Sequence, residues 1–118
     1  RRKIITPYKA WEVFVIHHED EGHEIVYADT RNEAKYKLLD GECKTCGNLC
    51  ADSSLEYLDL SARRLKVCDG LGDEPTSVVL EMAMKEAGWT CTIDGVDYTA
   101  DDISDEKSLE EFRSLFYE

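Results

Sequence analysis

Alternating and β-branched apolar residues near the N-terminus predict two neighbouring strands. Residues 11–16 (WEVFVI) are rich in the aromatic and β-branched types that favour strands. The polar residues 17–23 that follow predict a hairpin loop, and residues 24–29 (EIVYAD) predict the returning strand. The chain is therefore expected to open with an antiparallel strand pair.

The residues after this pair predict a helix with a defined start. Thr30 and Glu33 have the spacing of a capping box, in which the hydroxyl and the carboxylate each accept a hydrogen bond from a backbone N–H of the first turn. A helix is expected from about Arg31 to Leu39. Its Ala34 and Leu38, with Tyr36 as a further candidate, should face the sheet.

The second half of the chain predicts a strand, a helix, a hairpin and a last helix. Residues 55–60 (LEYLDL) alternate between apolar and polar and predict the third strand, with a continuation through Arg63 to Val67 as an extension of it. Pro75 and Gly88 favour a helix start and a helix end, so they bracket the second helix. Residues 94–95 (DG) predict a two-residue hairpin turn, and an apolar stripe after residue 104 predicts the last helix.

The resulting order, β-β-α-β-α-β-β-α, predicts an α+β fold with a small antiparallel sheet and packed helices. The 118 residues fit a single domain, 1–118, with a modest core. The longest apolar run, 13–16, is too short to cross a membrane, so a cytoplasmic protein is expected. The residues expected to be largely buried are Trp11, Val13, Val15, Leu58, Val79 and Met82.

The net charge of the chain restricts the kinds of partner that it can bind. The net charge is −12 and the isoelectric point is about 4.6, which argues against direct binding to nucleic-acid phosphates. Residues 94–118 contain nine acidic and two basic residues. Such a region can imitate a nucleic-acid backbone and dock in a basic groove of a partner protein. The alternative is a solvated acidic surface that only maintains solubility.

The cysteines predict a structural metal site. Cys43 and Cys46 form a C-x-x-C pair followed by Gly47, and Cys50 lies further along the same loop. Tetrahedral zinc prefers thiolate ligands presented in this way, and glycine lets the chain bend beneath the metal. The chain has five cysteines, and an odd number disfavours a scaffold of paired disulfides.

The predicted zinc-stapled loop needs a fourth ligand. We expect Cys68 to supply it, so that Zn²⁺ is held by Cys43, Cys46, Cys50 and Cys68. Cys91 is the alternative to Cys50 or Cys68, although an alternating strand position also suits a small buried side chain. A redox dithiol and a loop with incidental cysteines are the other interpretations of the pattern.

No motif predicts catalysis. The patterns H-E-x-x-H and G-x-S-x-G do not occur, and no cysteine is set apart with a histidine partner, so an enzyme is not expected. His17, His18 and His23 lie among acidic residues and form a second candidate for a divalent metal. The alternative for these histidines is a solvent-facing hairpin tip.

Several short segments together carry a resemblance to a known group of proteins. These segments are 9–13 (KAWEV), 26–36 (VYADTRNEAKY), 57–60 (YLDL), 63–64 (RR) and 88–89 (GW). Their order resembles that of small phage and prophage proteins of uncharacterised function, which share an A-x-T-R-x-x-A-K segment. Those proteins often carry a cysteine knuckle after G-W, whereas here the C-x-x-C lies in the loop at 43–50.

The resemblance implies a phage origin, and it implies a role in partner binding for the acidic residues. Small acidic phage proteins include inhibitors of host nucleases, among them anti-CRISPR proteins that occupy basic nucleic-acid channels. The implied function is binding and inhibition of a host nucleic-acid-handling protein, with a Cas9-type nuclease as the candidate. The alternative is a structural or assembly adaptor in a phage replication or packaging complex. Either partner would be a host or phage protein with a basic surface.

Overall fold

The computed structural model describes residues 6–18, 22–45, 49 and 54–116, which fall into two compact units, 1–73 and 74–118. The first unit contains the strands β1, β2 and β3 and the helix α1. The second contains the helices α2 and α3 and the strands β4 and β5. Their bounds are β1 Ala10–Val15, β2 His23–Tyr27, α1 Arg31–Leu39, β3 Leu60–Arg64, α2 Thr76–Ala87, β4 Cys91–Ile93, β5 Val96–Tyr98 and α3 Glu106–Ser114.

The sheet of the first unit is antiparallel with the order β2-β1-β3. Trp11 of the central strand stands opposite Val26 on one side and Arg64 on the other. Side chains opposite one another share a face, and neighbours along a strand point to different faces. Trp11 and Val13 therefore lie on one face, and Glu12 lies on the other.

Helix α1 covers the face that carries Trp11 and Val13. Together with residues of the strands it forms a buried cluster. The indole Nε1 of Trp11 donates a 2.8 Å hydrogen bond to the carbonyl oxygen of Ala28, which satisfies its polar atom within the core. The members of the cluster are Trp11, Val13, Val26, Ala28, Ala34, Leu38, Leu60 and Ala62.

The predicted cap of α1 at Thr30 is confirmed, but the reciprocal bond of Glu33 goes to the residue before the cap. The hydroxyl of Thr30 accepts a 3.2 Å hydrogen bond from the backbone N–H of Glu33. The Glu33 carboxylate in turn accepts a 3.3 Å bond from the N–H of Asp29, one residue before the cap. Ala34 and Leu38 are buried against the sheet as predicted, whereas Tyr36 is 57% exposed, so the prediction is wrong for Tyr36.

The third strand begins five residues later than predicted and lies within the predicted continuation to Val67. Tyr57–Asp59 forms a 3-10 turn, and β3 begins at Leu60. The turn is closed by a reciprocal capping box between Glu56 and Asp59, which competes with the extended conformation. Leu58 is consequently 84% exposed, and Leu60 is 1% exposed. The prediction that Leu58 is buried is wrong.

Helix α2 of the second unit begins after Pro75 and ends at Gly88, as predicted. Gly88 has a φ of 72°, a left-handed conformation that glycine adopts without strain and that ends many helices. Val79, Ala83 and Met84 are buried, whereas Met82 is only half-buried. The buried side of α2 therefore contains Val79, Ala83 and Met84, and Met82 lies at its edge.

A hairpin and a short helix complete the second unit. Asp94 and Gly95 have positive φ values of 51° and 80°, the conformation that a two-residue hairpin turn requires, and the strands β4 and β5 pair across them. Helix α3 follows, and its Phe112 is 1% exposed. The ring of Phe112 meets Tyr98 and Phe116 edge to face, with ring centroids 5.5 and 5.3 Å apart.

The predicted α+β class is confirmed, with two antiparallel sheets and packed helices in the described residues. The order of elements differs in detail, since 3-10 turns at Tyr57–Asp59, Lys66–Cys68 and Ala100–Ile103 stand between the predicted elements. Of the helices described, none has both the length and the apolar character needed to span a bilayer.

Candidate functional site

Acidic charge is concentrated in the second unit. Residues 74–118 contain twelve acidic and three basic residues, whereas residues 1–73 contain fourteen acidic and eleven basic residues. The net charges are therefore −9 and −3, although the acidic unit is the shorter one. A field of one sign on a small body steers ligands of the opposite charge.

Two of the three basic residues in this unit are already engaged. The carboxylate of Glu81 accepts hydrogen bonds from Arg113 at 2.8 Å and from Lys85 at 3.2 Å. Partial burial opposes ionisation of Glu81, but these two cations prevail and lower the pKa of its carboxyl group. Two of the three cationic side chains of the unit thus pair with the same partly buried carboxylate, that of Glu81.

Some acidic residues of the second unit serve its own fold. The carboxylate of Asp102 accepts a 2.8 Å bond from the N–H of Thr99 and caps the turn Ala100–Ile103. The carboxylate of Asp105 accepts a 2.8 Å bond from the N–H of Ser108 at the start of α3. This bond, together with the 2.9 Å bond from the Ser108 hydroxyl, lowers the pKa of the Asp105 carboxyl group. Substitution of either residue would therefore disturb the fold of the unit as well as any contact with a partner protein.

Other acidic side chains face solvent. Asp101, Glu110 and Glu111 are exposed, one in the turn Ala100–Ile103 and two on α3. Exposed carboxylates contribute little to folding stability, because water solvates them well in either state. These three residues define what we call the acidic face. They are able to meet Lys or Arg side chains of a partner without prior rearrangement of the core.

An open cleft lies beside the acidic face, at the end of α2. Its volume is about 160 Å³. The backbone N–H of Trp89 donates a 3.2 Å bond to the carbonyl of Ala83, which fixes the chain as it leaves the helix. The cleft is lined by Met84, Gly88, Trp89, Thr99, Ala100 and Asp101. The sequence analysis did not identify it, because its lining comes from two segments, 84–89 and 99–101, that lie ten positions apart and form no motif.

The structure describes part of the predicted zinc site. Cys46 and Cys50 lie outside the described residues. Cys43 is half-buried and packs against the cluster beneath α1. The adjoining residue, Lys44, donates its backbone N–H to the carbonyl of Ile25 at 2.7 Å, so the start of the cysteine loop is fixed beside β2.

Cys68 is fully buried on the other side of the sheet. Its carbonyl accepts a 2.7 Å bond from the hydroxyl of Tyr27, which lies on the same sheet face as Glu12. Burial, followed by the negative charges of Asp69 and Glu12, raises the pKa of the Cys68 thiol to about 11. The structure therefore places Cys43 and Cys68 against opposite faces of the sheet.

The remaining candidates for metal binding can be placed as well. Cys91 is half-buried in β4, and burial raises the pKa of its thiol. His17 and His18 are exposed, and His23 stacks on the ring of Phe14 with centroids 4.9 Å apart. Within the described ranges, no group of three or more His, Cys, Asp or Glu residues is arranged to hold a metal ion.

A charged cluster on the sheet was also missed by the sequence analysis. Glu12, at the centre of β1, is only 7% exposed and pairs with Arg63 of β3. The Nδ1 atom of His23 lies 3.8 Å from the same carboxylate, and the guanidinium of Arg63 lies 4.7 Å from the centre of the Phe14 ring. The strand register brings these side chains together, and sequence spacing does not reveal it.

Comparison with known proteins adds no further assignment. Neither a protein-family model, nor a curated protein, nor a solved structure matches the chain.

Proposed function

We propose that this protein is a phage-encoded, non-enzymatic inhibitor that docks its acidic face on a basic surface of a host nucleic-acid-handling protein. An anti-CRISPR-like action on a Cas9-type nuclease is the most concrete form of the proposal. The observation that carries it is the charge of −9 on residues 74–118, with Asp101, Glu110 and Glu111 exposed.

The physical basis is competition for cationic side chains. A groove that binds nucleic acid holds Lys and Arg residues spaced to meet phosphates. Carboxylates on a folded body can occupy the same cations and exclude the nucleic acid, and the charge also accelerates encounter. No chemical step is required, which agrees with the absence of a catalytic motif in the sequence.

The proposal includes a structural Zn²⁺ in the loop at 43–50. Cys43, Cys46 and Cys50 are its first ligands. Cys68 is the predicted fourth, and because it lies against the opposite face of the sheet from Cys43, it could join them only after this region rearranges. The chemistry of the donor set supports this, because clustered thiolates in one short loop suit zinc. The metal would hold the loop to the sheet of the first unit and would take no part in binding the partner.

The decisive experiment reverses the acidic face. The variant D101K/E110K/E111K should associate with a Cas9-type nuclease about tenfold more slowly than the parent at low salt, and the difference should shrink as salt rises. A matched control, D29K/D40K/E42K, makes the same change in charge at exposed positions of the first unit.

Rates are measured for both variants at two salt concentrations, with DNA and RNA as competitors. Selective slowing by the acidic-face variant, together with competition by nucleic acid, supports the proposal. Equal slowing by both variants would show that the net charge of the chain, and not the acidic face, determines the association rate. Unchanged rates for both, or no competition from nucleic acid, would overturn the docking mode.

A second function is favoured by an exposed apolar area on the first unit. Leu58 is 84% exposed, and beside it the rings of Tyr36 and Tyr57 stack with centroids 4.6 Å apart. Such residues are typical of protein–protein contacts, which suits an assembly adaptor in a phage replication or packaging complex. Capture experiments with the variants L58S and D101K/E110K/E111K distinguish the two functions. Loss of a phage protein only with L58S supports the adaptor.

A further inference from the structure

The cleft at the end of α2 has the chemistry of a cation site. We propose that it binds one arginine side chain of the basic partner, with Trp89 stacking on the guanidinium and Asp101 pairing with it. This inference rests on the proposed function, since it names the side chain that the acidic unit recognises. The cleft lies wholly within residues 74–118.

The size of the cleft limits what it can hold. Its volume of about 160 Å³ is roughly five times the ~30 Å³ that one water molecule takes in the liquid. Pockets for drug-sized ligands and cofactors start at about 300 Å³. A guanidinium group with part of its aliphatic stem fits this space.

Three features of the lining favour a cation. Trp89 is one of the lining residues, and an indole has the most electron-rich face among the aromatic side chains, so it attracts cations placed over it. Asp101, an exposed acidic residue, lines the same cleft. Helix α2 ends at Gly88, so the carbonyl end of its dipole, which carries partial negative charge, borders the site.

Arginine suits this lining better than lysine. Its guanidinium is planar, so it stacks on an aromatic ring while its N–H groups pair with a carboxylate in the same plane. An ammonium group is compact and strongly hydrated, and it can satisfy only one of these contacts well. Approach to the cleft is assisted by the charge of −9 on the unit.

The lining is held in place by interactions that do not involve a ligand. The positive φ of Gly88 and the bond from Trp89 N–H to the Ala83 carbonyl fix one wall. The capping box of Thr99 and Asp102, together with Ile103, which is 1% exposed, fixes the turn that carries Asp101. A preformed site loses less entropy on binding, so even a single side chain can be selected.

The test uses a short peptide as the probe. Acetyl-Gly-Arg-Gly-amide is added to the full chain, and the two indole N–H signals of Trp11 and Trp89 are followed by NMR, with W89F to assign them. We expect the Trp89 signal to move saturably in the millimolar range and the Trp11 signal to stay in place. The citrulline analogue, which has the same shape without charge, should bind about tenfold more weakly or worse.

Paired variants then examine the carboxylate. D101N should weaken binding of the arginine peptide about fivefold, because it removes the charged partner and keeps the shape. E106Q removes the same charge from an exposed position at the start of α3 and should change binding by less than about twofold. Three outcomes would each overturn the inference. They are equal binding of the arginine and citrulline peptides, equal effects of D101N and E106Q, and a Trp89 signal that does not move.

These results are independent of the docking experiment. If E110K/E111K leaves association with the nuclease unchanged while the arginine peptide binds at Trp89, the cleft is an arginine site and the proposed partner is wrong. If the peptide fails and E110K/E111K still slows association, the docking proposal stands without the cleft. A lysine peptide that binds as well as the arginine peptide would contradict the stacking geometry.

Discussion

The two units carry similar numbers of acidic residues, fourteen in residues 1–73 and twelve in residues 74–118, but they use them differently. In the first unit two carboxylates are buried within the fold: Glu12 and Glu24 are only 7% and 3% exposed. Glu12 pairs with Arg63, and Glu24 accepts a 2.6 Å bond from the hydroxyl of Thr45. In the second unit most acidic side chains stay at the surface.

Carboxylates that stabilise the fold can therefore be distinguished from carboxylates that are exposed to a partner protein. Buried carboxylates stabilise a fold only while their partners are present, so the first unit is sensitive to changes in charge at Glu12 and Glu24. Exposed carboxylates can be reversed at little cost to the fold, so the second unit can vary its surface. The face proposed to meet a partner is therefore the part of the chain that depends least on charge for its own stability.

The largest expected effect concerns the metal of the first unit. Cys46→Ser should remove most of one zinc per chain and lower the free energy of unfolding by about 3–5 kcal/mol, because binding energy at such sites is folding energy. Elemental analysis and denaturant unfolding measure the two effects. Protein purified without chelator that contains no zinc, with all five thiols titratable, would contradict the site.

Cys68→Ser is the companion variant, because Cys68 and Cys43 lie against opposite faces of the sheet. Zinc content that persists in this variant would remove Cys68 from the ligand set and leave the loop cysteines. Loss of zinc in both variants would show that the described arrangement changes when metal binds.

A smaller effect is expected in the core of the first unit. Leu60→Ala should lower the free energy of unfolding by about 2–4 kcal/mol, because it leaves a cavity beneath α1. Leu58→Ala, two residues earlier, should change it by less than about 0.5 kcal/mol, because the side chain is 84% exposed. Denaturant unfolding of both variants provides the measurement. Equal losses would show that residues 55–60 form the strand that the sequence alone predicted.

The smallest effect compares one carboxylate from each unit. Glu12→Gln should lower the free energy of unfolding by about 1–3 kcal/mol, because it weakens the pairing with Arg63 in a buried place. Glu110→Gln should leave stability within about 0.5 kcal/mol, since this residue is exposed on α3. Thermal or denaturant unfolding checks both. A greater loss for Glu110 would reverse the contrast between the units.

Local chemistry explains which elements the sequence could predict. Helix α1 was placed correctly because Thr30 and Glu33 lie within one turn and act on it directly. The Asp94–Gly95 turn was likewise found because its backbone conformation depends on those two residues. Leu58 was misplaced because alternation suits a strand, while the capping box of Glu56 and Asp59 favours a turn.

The candidate sites depend on longer distances, so less of them was predictable. The charge of residues 94–118 could be read directly, and Asp101, Glu110 and Glu111 are exposed as a docking face requires. The cleft of Trp89 and Asp101 needs the end of α2 and a later turn to lie side by side, which no spacing rule foretells. The zinc site stays a prediction from composition.

The placement of the tryptophans gives each unit its own optical reporter. Trp11 is 7% exposed in the first unit, and its indole N–H is bound to the Ala28 carbonyl. Trp89, half-buried, belongs to the second unit. Since the chain has two tryptophans, fluorescence of W89F follows the first unit alone, and fluorescence of W11F follows the second. Whether the two halves of this chain melt as one cooperative body or in succession can thus be observed directly, without labels.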